Sequence, residues 1–267
     1  MDSLKGAGQG PKRPYIVILG TNEVASAIAI VLHRAGGRVV LAHDPVPPVL
    51  RRSRSFHDAL FGDPSVLDGV AAERADTTVE ARALMTGGSG VIVTALGVLD
   101  LIALDRLDIL IDARLQSTTA RPDLRWLART SVGLGAGFQA AANCDIAVDL
   151  PDPPADAEEG RAVRSPVRGV WRTPVEIGAY IFKDFTLGHL DGVAIRAPMD
   201  GVIAGAVRDG TEVMSGVDLV EIDRRAREIQ WRGVDVRGQA IAGVVLAAIE
   251  APLAVHAPRP RVGASSA

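Results

Sequence analysis

Between Ser165 and Asp223 the chain writes one pattern twice. Ser165-Pro-Val-Arg-Gly-Val170 lines up with Ala197-Pro-Met-Asp-Gly-Val202 at a spacing of 32 residues. The same spacing pairs Val175 with Val207, Gly178 with Gly210, Ile181 with Val213, Leu187 with Leu219 and Leu190 with Ile222. Glycine and apolar positions coincide while the residues between them differ, which is how a repeated structural unit is written. Its apolar residues fall in short runs between glycines, so the unit is built of strands.

The phrase Ile195-Arg-Ala-Pro-Met-Asp-Gly-Val-Ile203 resembles the strand that follows the modified hairpin of biotin carriers. Two such units, interlocked, resemble the flattened barrel of biotinyl and lipoyl domains. Counting back from Ala197 by that family's spacing reaches Leu190, where a carrier has its modified lysine. The hairpin Leu190-Asp-Gly-Val193 suits a type I′ turn, since Asp191 and Gly192 both tolerate positive φ. Lys183 is the sole lysine of the segment and aligns with Ser215, away from the tip. Covalent biotin or lipoate needs an exposed amine at the hairpin, so neither is expected.

The first half has a different grammar. Tyr15-Ile-Val-Ile-Leu19 reads as a buried strand, Gly20-Thr-Asn22 as a turn, Glu23 to Arg34 as a helix ended by Gly36-Gly37, and Arg38-Val-Val-Leu-Ala42 as a second strand. Gly90 to Thr94, Asp108 to Asp112, Ser131 to Leu134 and Cys144 to Val148 continue the alternation, which argues for a parallel sheet. Hydrophobic residues make up 48% of the 267 but aromatics only 4%, so the core is aliphatic, as parallel α/β layers require. The fold expected is thus α/β: a Rossmann-like parallel sheet domain over 14–150, then a duplicated, biotinyl/lipoyl-like barrel-sandwich domain with a C-terminal helix over 163–252. An acidic, proline-rich linker at 151–162 would join them, and the tails 1–13 and 253–267 read as disordered. A further strand is expected at Glu228-Ile-Gln-Trp231.

With 29 basic and 32 acidic residues the formal charge is −3, which offers no field for nucleic acid or an anionic membrane. No apolar run reaches the ~18 residues of a membrane span, and 1–10 lacks a signal-peptide core. A cytoplasmic protein is expected. The one cysteine, Cys144, excludes an internal disulfide and reads as a small buried residue.

A dinucleotide site needs a glycine turn, a helix N-terminus and an acid at the end of the second strand. Gly20 supplies the turn and Asp44 the acid, while Asn22 stands where a second glycine is usual. Gly133, Gly135 and Gly137 form a second glycine loop able to make an anion nest. Arg51 and Arg52, with Arg54, could clamp a phosphate or carboxylate, and Asp112 and Arg114 close a strand where open α/β sheets place their ligands. Gly20, Asn22, Asp44, Arg51, Arg52, Asp112, Arg114, Gly133, Gly135 and Gly137 are therefore the candidate cofactor-binding residues. A decayed site and solvated loops are the alternatives. No catalytic set stands out. The histidines have no metal-ligand spacing, and His43 and His57 alone fall near the strand-end crevice.

Taken in order along the chain, these motifs are similar to those of the accessory protein family that accompanies selenium-dependent molybdenum hydroxylases, the xanthine dehydrogenase maturation type. The likeness rests on the leading strand and turn, Leu32-His-Arg-Ala-Gly36, Arg51-Arg52 with Ser55-Phe56 and Ala59, Asp112-Ala-Arg114, Gly133-Leu-Gly with Gly137-Phe138, and the doubled Ala-Pro-x-Asp-Gly-Val phrase. It departs at Gly20-Thr-Asn-Glu-Val-Ala25, where the family has Gly-x-Gly-Asp-Leu-Ala. The family's Glu-Thr-x-Arg-Gly-His stretch is absent, and its Asp-x-Asp-Pro-Arg-Gly end is reduced to Glu221-Ile-Asp-Arg-Arg225. The resemblance implies a maturation protein with a molybdenum hydroxylase as partner, holding a nucleotide-bearing ligand or a molybdopterin-type cofactor. Two other readings stay open: an NAD-dependent oxidoreductase, and a non-catalytic scaffold or regulator. Homo-oligomerisation is also left open.

Overall fold

In the computed structural model the described residues are 13–116, 121–150, 160–225 and 231–251. The expected linker at 151–159, most of the strand expected near Glu228, and nearly all of both tails lie outside them.

The first half forms one sheet of eight strands. These are β1 (Tyr15–Leu19), β2 (Arg38–Ala42), β3 (Val66–Leu67), β4 (Val70–Ala75), β5 (Val91–Thr94), β6 (Ile109–Asp112), β7 (Thr130–Leu134) and β8 (Ile146–Val148), in the order β3-β4-β5-β2-β1-β6-β7-β8. All neighbours are parallel except the edge pair β3 and β4. Both faces are covered, which is why β1, β2, β5 and β6 are aliphatic runs without alternation. On one face lies α1 (Glu23–Arg34), whose Ala25, Ala27 and Ala29 are essentially inaccessible. On the other lie α2 (Thr78–Gly87), started by a capping box of Thr77 and Glu80, and the short α3 (Val98–Ile102).

The duplicated segment comes next, as β9 (Gly160–Arg164), β10 (Gly169–Arg172), β11 (Tyr180–Ile181), β12 (Thr186–Leu190), β13 (Val193–Arg196), β14 (Gly201–Ala206), β15 (Glu212–Val213) and β16 (Asp218–Asp223). The repeat spacing recurs in three dimensions: β10 answers β14, β11 answers β15 and β12 answers β16. The strands sort into two antiparallel sheets, β13-β12-β10-β15 and β11-β14-β16-β9. Each sheet borrows its two-residue strand, β15 or β11, from the other copy of the repeat. Neither copy can therefore complete its sheet alone. At the hairpin tip Asp191 and Gly192 take φ of 45° and 88°, as a type I′ turn demands, and Leu190 is buried in the core between the sheets.

The expected fold is corrected on these observations. The molecule is a mixed α/β fold dominated by one large, mostly parallel sheet with an antiparallel edge. The duplicated segment forms a pair of open four-stranded sheets and not a closed biotinyl/lipoyl-like barrel, because no ladder among the described residues joins one sheet to the other. Helices are few, and the last of them, α4 (Val236–Glu250), packs on α1 beside the eight-stranded sheet. Its Ile241, Ala242 and Val245 complete the core over that face. Asp235 caps its start by accepting from the Gly238 amide at 2.7 Å.

Candidate functional site

The crevice at the strand ends is where the sequence points first. Gly20 holds φ 109°, and a Cβ there would lie 3.0 Å from the Ala113 carbonyl oxygen, so the turn is pressed against the exit of β6. Asn22 caps α1 by accepting from the Ala25 amide at 2.9 Å, and its Nδ2 donates to the Ala113 carbonyl at 2.7 Å. The side chain thus bridges the turn to the neighbouring strand. Beside it, Arg114 donates to the fully buried Asp112 through Nε (3.0 Å) and Nη2 (2.6 Å) and to Asp44 through Nη1 (3.2 Å). These carboxylates raise the Arg114 pKa, the hydrogen bond to Asp112 most of all. Gln116 also donates to Asp44 at 3.2 Å. Asp44, which by sequence would be a ribose acceptor, is engaged by the protein's own donors, and the space left is about 10 Å³, one water's worth.

The glycine loop after β7 has a packing cause. A Cβ on Gly133 would fall 2.1 Å from the Phe138 ring, which folds back onto the strand. Gly135 and Gly137 turn the chain with φ of 83° and 88°, and the Gly135 amide donates to the Val148 carbonyl at 2.9 Å.

The arginine run joins the two halves. Arg51 donates bidentately to Glu221 of β16, both bonds 2.8 Å. Arg52 donates to the Ala206 carbonyl at 2.8 Å and to Asp58 at 2.7 Å, and Arg54 to Asp235 at 2.7 Å. Replacing Arg51 with alanine strands the mostly buried Glu221 carboxylate. We expect a loss of about 2 kcal/mol, below the range for fully buried pairs because Arg51 keeps partial exposure. Urea unfolding checks this, and Arg51→Lys should recover only part, lacking the fork.

A second concavity, of about 300 Å³, lies where the eight-stranded sheet meets the β14–β15 loop. His43 enters it just beyond β2, its amide extending the ladder to the Thr94 carbonyl at 2.8 Å. His57 enters from a 3₁₀ turn, His57–Phe61, anchored by the fully buried Phe56, whose amide donates to Ser26 Oγ at 3.0 Å. The two rings lie 5.2 Å apart. Behind them is Thr21, 1% exposed, with its hydroxyl 2.9 Å from His57 Nδ1 and 3.3 Å from His43 Nδ1. Among the described residues neither Nε2 has a partner, and Thr21 Oγ1 has no third. Burial pushes His57 down to about 4, with the neighbouring His43 adding to it; burial also lowers His43, against the pull of Asp44.

A hydroxyl carries one proton, so it donates to one imidazole and accepts from the other. We assign the shorter contact to the hydroxyl donating to His57 Nδ1, which puts the His57 proton on Nε2. His43 then donates through Nδ1 and keeps a bare lone pair on Nε2. This tautomer assignment follows from the hydrogen-bond pattern. On this assignment His57 faces the cavity with a neutral donor and His43 with a neutral acceptor. Among the described residues no group of three or more His, Cys, Asp or Glu is placed to hold a metal ion.

Of the sequence candidates, Gly20, Asn22, Asp44, Asp112 and Arg114 are brought together at the crevice. The glycine loop sits at the end of β7, two strands from β1, and Arg51 and Arg52 sit at the junction. His43 and His57 are legible in the sequence as near-crevice residues. Thr21 escapes sequence reasoning although it lies inside the turn, and Phe61 and Arg208 of the cavity wall carry no local signal.

No family model matches the chain. It is 27% identical over 259 residues to the uncharacterized protein YqeB of Escherichia coli, an alignment covering 88% of this chain and 47% of YqeB. The chain thus spans about half the length of that curated relative. Solved structures similar to it include an aspartoacylase family protein from Mesorhizobium loti, at 10% identity and a TM-score of 0.26 over 81% of this chain and 86% of that one. Another is a succinylglutamate desuccinylase/aspartoacylase from Rhodobacter sphaeroides, at 13% and 0.24 over 79% and 86%. Superpositions that loose carry no argument for this chain's chemistry. The expected kinship with molybdenum hydroxylase accessory proteins is corrected: no family model matches the chain, and none of these proteins bears a name that points to such a role. The maturation role, the hydroxylase partner and the NAD-dependent oxidoreductase reading go with it. A physical reason stands next to the comparisons: the crevice that was to hold a nucleotide-bearing ligand is filled by Asn22, Arg114 and Gln116. No helix among the described residues is long and apolar enough to cross a membrane.

Proposed function

We propose that this chain catalyses proton transfer at a carbon next to a carbonyl group, in a small molecule held in the His43–His57 cavity. The observation that carries the reading is the single Thr21 hydroxyl bonded to both Nδ1 atoms. His43 Nε2 is the base that takes the carbon-bound proton. His57 Nε2–H is the neutral donor that polarises the carbonyl oxygen as charge builds on it, and it keeps its own proton. Thr21 is a positioning residue, setting both tautomers from behind. Burial suits these roles, because both imidazoles stay uncharged at pH 7. A neutral imidazole is a competent donor to a developing oxyanion. Positioned acid–base groups of this kind contribute about 10²–10⁴-fold. We also assign the chain to the cytoplasm, a reading supported by a lone cysteine that is buried and cannot pair within the chain.

Imidazole ¹⁵N spectra at pH 7 test the arrangement directly. The expected result is Nε2–H on His57 and Nδ1–H on His43; the same tautomer on both rings overturns it. Thr21→Val keeps the shape but leaves two ring nitrogens without their partner. It should cost about 1–3 kcal/mol in urea unfolding and abolish the difference between the two spectra. Deuterium incorporation from D₂O into carbonyl compounds, followed by proton NMR, reads the chemistry itself and should be lost in His43→Ala.

A further inference from the structure

Arg208 stands in the wall of the same cavity, on the loop that the second half contributes. Its guanidinium lies over the Phe61 ring at 4.2 Å and donates through one nitrogen only, Nη1, to Asp58 at 3.1 Å and Asp63 at 2.7 Å. Among the described residues Nε and Nη2 have no partner, and neither is a buried, unsatisfied atom. The edge that a guanidinium uses to grip two oxygens at once is therefore open, while stacking and the two carboxylates fix its plane. Asp58 is shared with Arg52, so two guanidinium groups meet two carboxylates, and the two further carboxylates that line the cavity, Asp209 and Glu212, are paired with Arg172 and Arg168.

We propose that Arg208 recognises a carboxylate, and that the substrate class is a small oxo acid whose carboxylate takes the Nε/Nη2 edge while its carbonyl faces His57. This rests on the acid–base reading above and narrows it. A cavity of about 300 Å³ suits such a molecule. Proton balance is simple: His43 accepts one proton from the carbon beside the carbonyl, the enolate is held by His57 Nε2–H, and the carbon regains a proton or deuteron from His43 after exchange with solvent.

The test titrates pyruvate, 2-oxobutanoate and 2-oxoglutarate, each beside its methyl ester, into the full chain. One readout is the Arg208 Nε–H resonance and the other is deuterium incorporation. The acids should move the resonance and exchange, with the esters at least about tenfold weaker. Arg208→Lys, which keeps the charge beside Asp58 and Asp63, should weaken the acids by a similar factor and leave the imidazole tautomers unchanged. Esters exchanging as fast as acids, or an Nε–H resonance that none of the acids moves, overturns the assignment of Arg208. Binding without exchange keeps Arg208 and overturns the proton-transfer reading instead.

Discussion

Trp171→Ala should lower the unfolding free energy by about 3–5 kcal/mol, the range for removing a large aromatic from a packed core. Trp171 is 0% exposed on β10, between the paired sheets. Its ring occupies space that Gly188 leaves empty, since a Cβ there would come within 2.6 Å of it. The repeat explains the pairing. At the equivalent places in the second copy stand Ile203 and Val220, both 0% exposed, so one copy fills the core with a large and a vanishing side chain and the other with two of middle size. The indole nitrogen is buried without a hydrogen-bond partner, so the loss is one of packing and no hydrogen bond is forfeited. Urea unfolding followed by circular dichroism measures it. A cost under about 1 kcal/mol would mean that the core collapses onto the vacancy and that the complementarity of the two copies contributes little.

Acid should destabilise the protein through His57. Its folded-state pKa of about 4 lies below the ordinary value of 6.5, because burial, and then His43, disfavour the cation. As pH falls below 6.5 the unfolded chain takes up the proton first, and the folded state resists until about 4. The contribution is therefore complete above the unfolded value and is lost on the way down to the folded one, about 3 kcal/mol in all. His43, also lowered, adds in the same direction. Unfolding free energies at pH 7.5, 5.5 and 4.5 should decline in wild type, and His57→Gln should flatten that part of the decline. An unchanged slope in the variant would assign the acid sensitivity to other groups.

How much of this can be read from the residues varies with the range of the interaction. The helix Glu23–Arg34 with its Asn22 start is local: periodicity, a capping side chain and the Gly36-Gly37 stop all lie within one short stretch. The type I′ tip at Asp191-Gly192 is local too. Asp44 and Arg114 each stand out at a strand end, yet their partnership joins residues 70 apart and turns a candidate ligand site into a closed ion pair. The arginine run reads as a phosphate clamp, whereas Arg51 meets its carboxylate 170 residues away. Nothing in the spacing of either partner announces such a pair.

The doubled phrase that begins at Ser165 determined, by itself, that the second half is made of two equivalent strand units at a spacing of 32 residues, because glycine turns and alternate apolar positions are dictated by neighbours along the chain. The run of aliphatic strands likewise determined a buried parallel sheet. Tertiary structure alone decided that the copies exchange short strands into two open sheets, that α4 returns to α1, and that Thr21, His43, His57 and Arg208 gather around one cavity. Strand pairing, helix docking and a shared hydroxyl proton depend on which distant surfaces bury each other, and sequence separation carries no record of that choice.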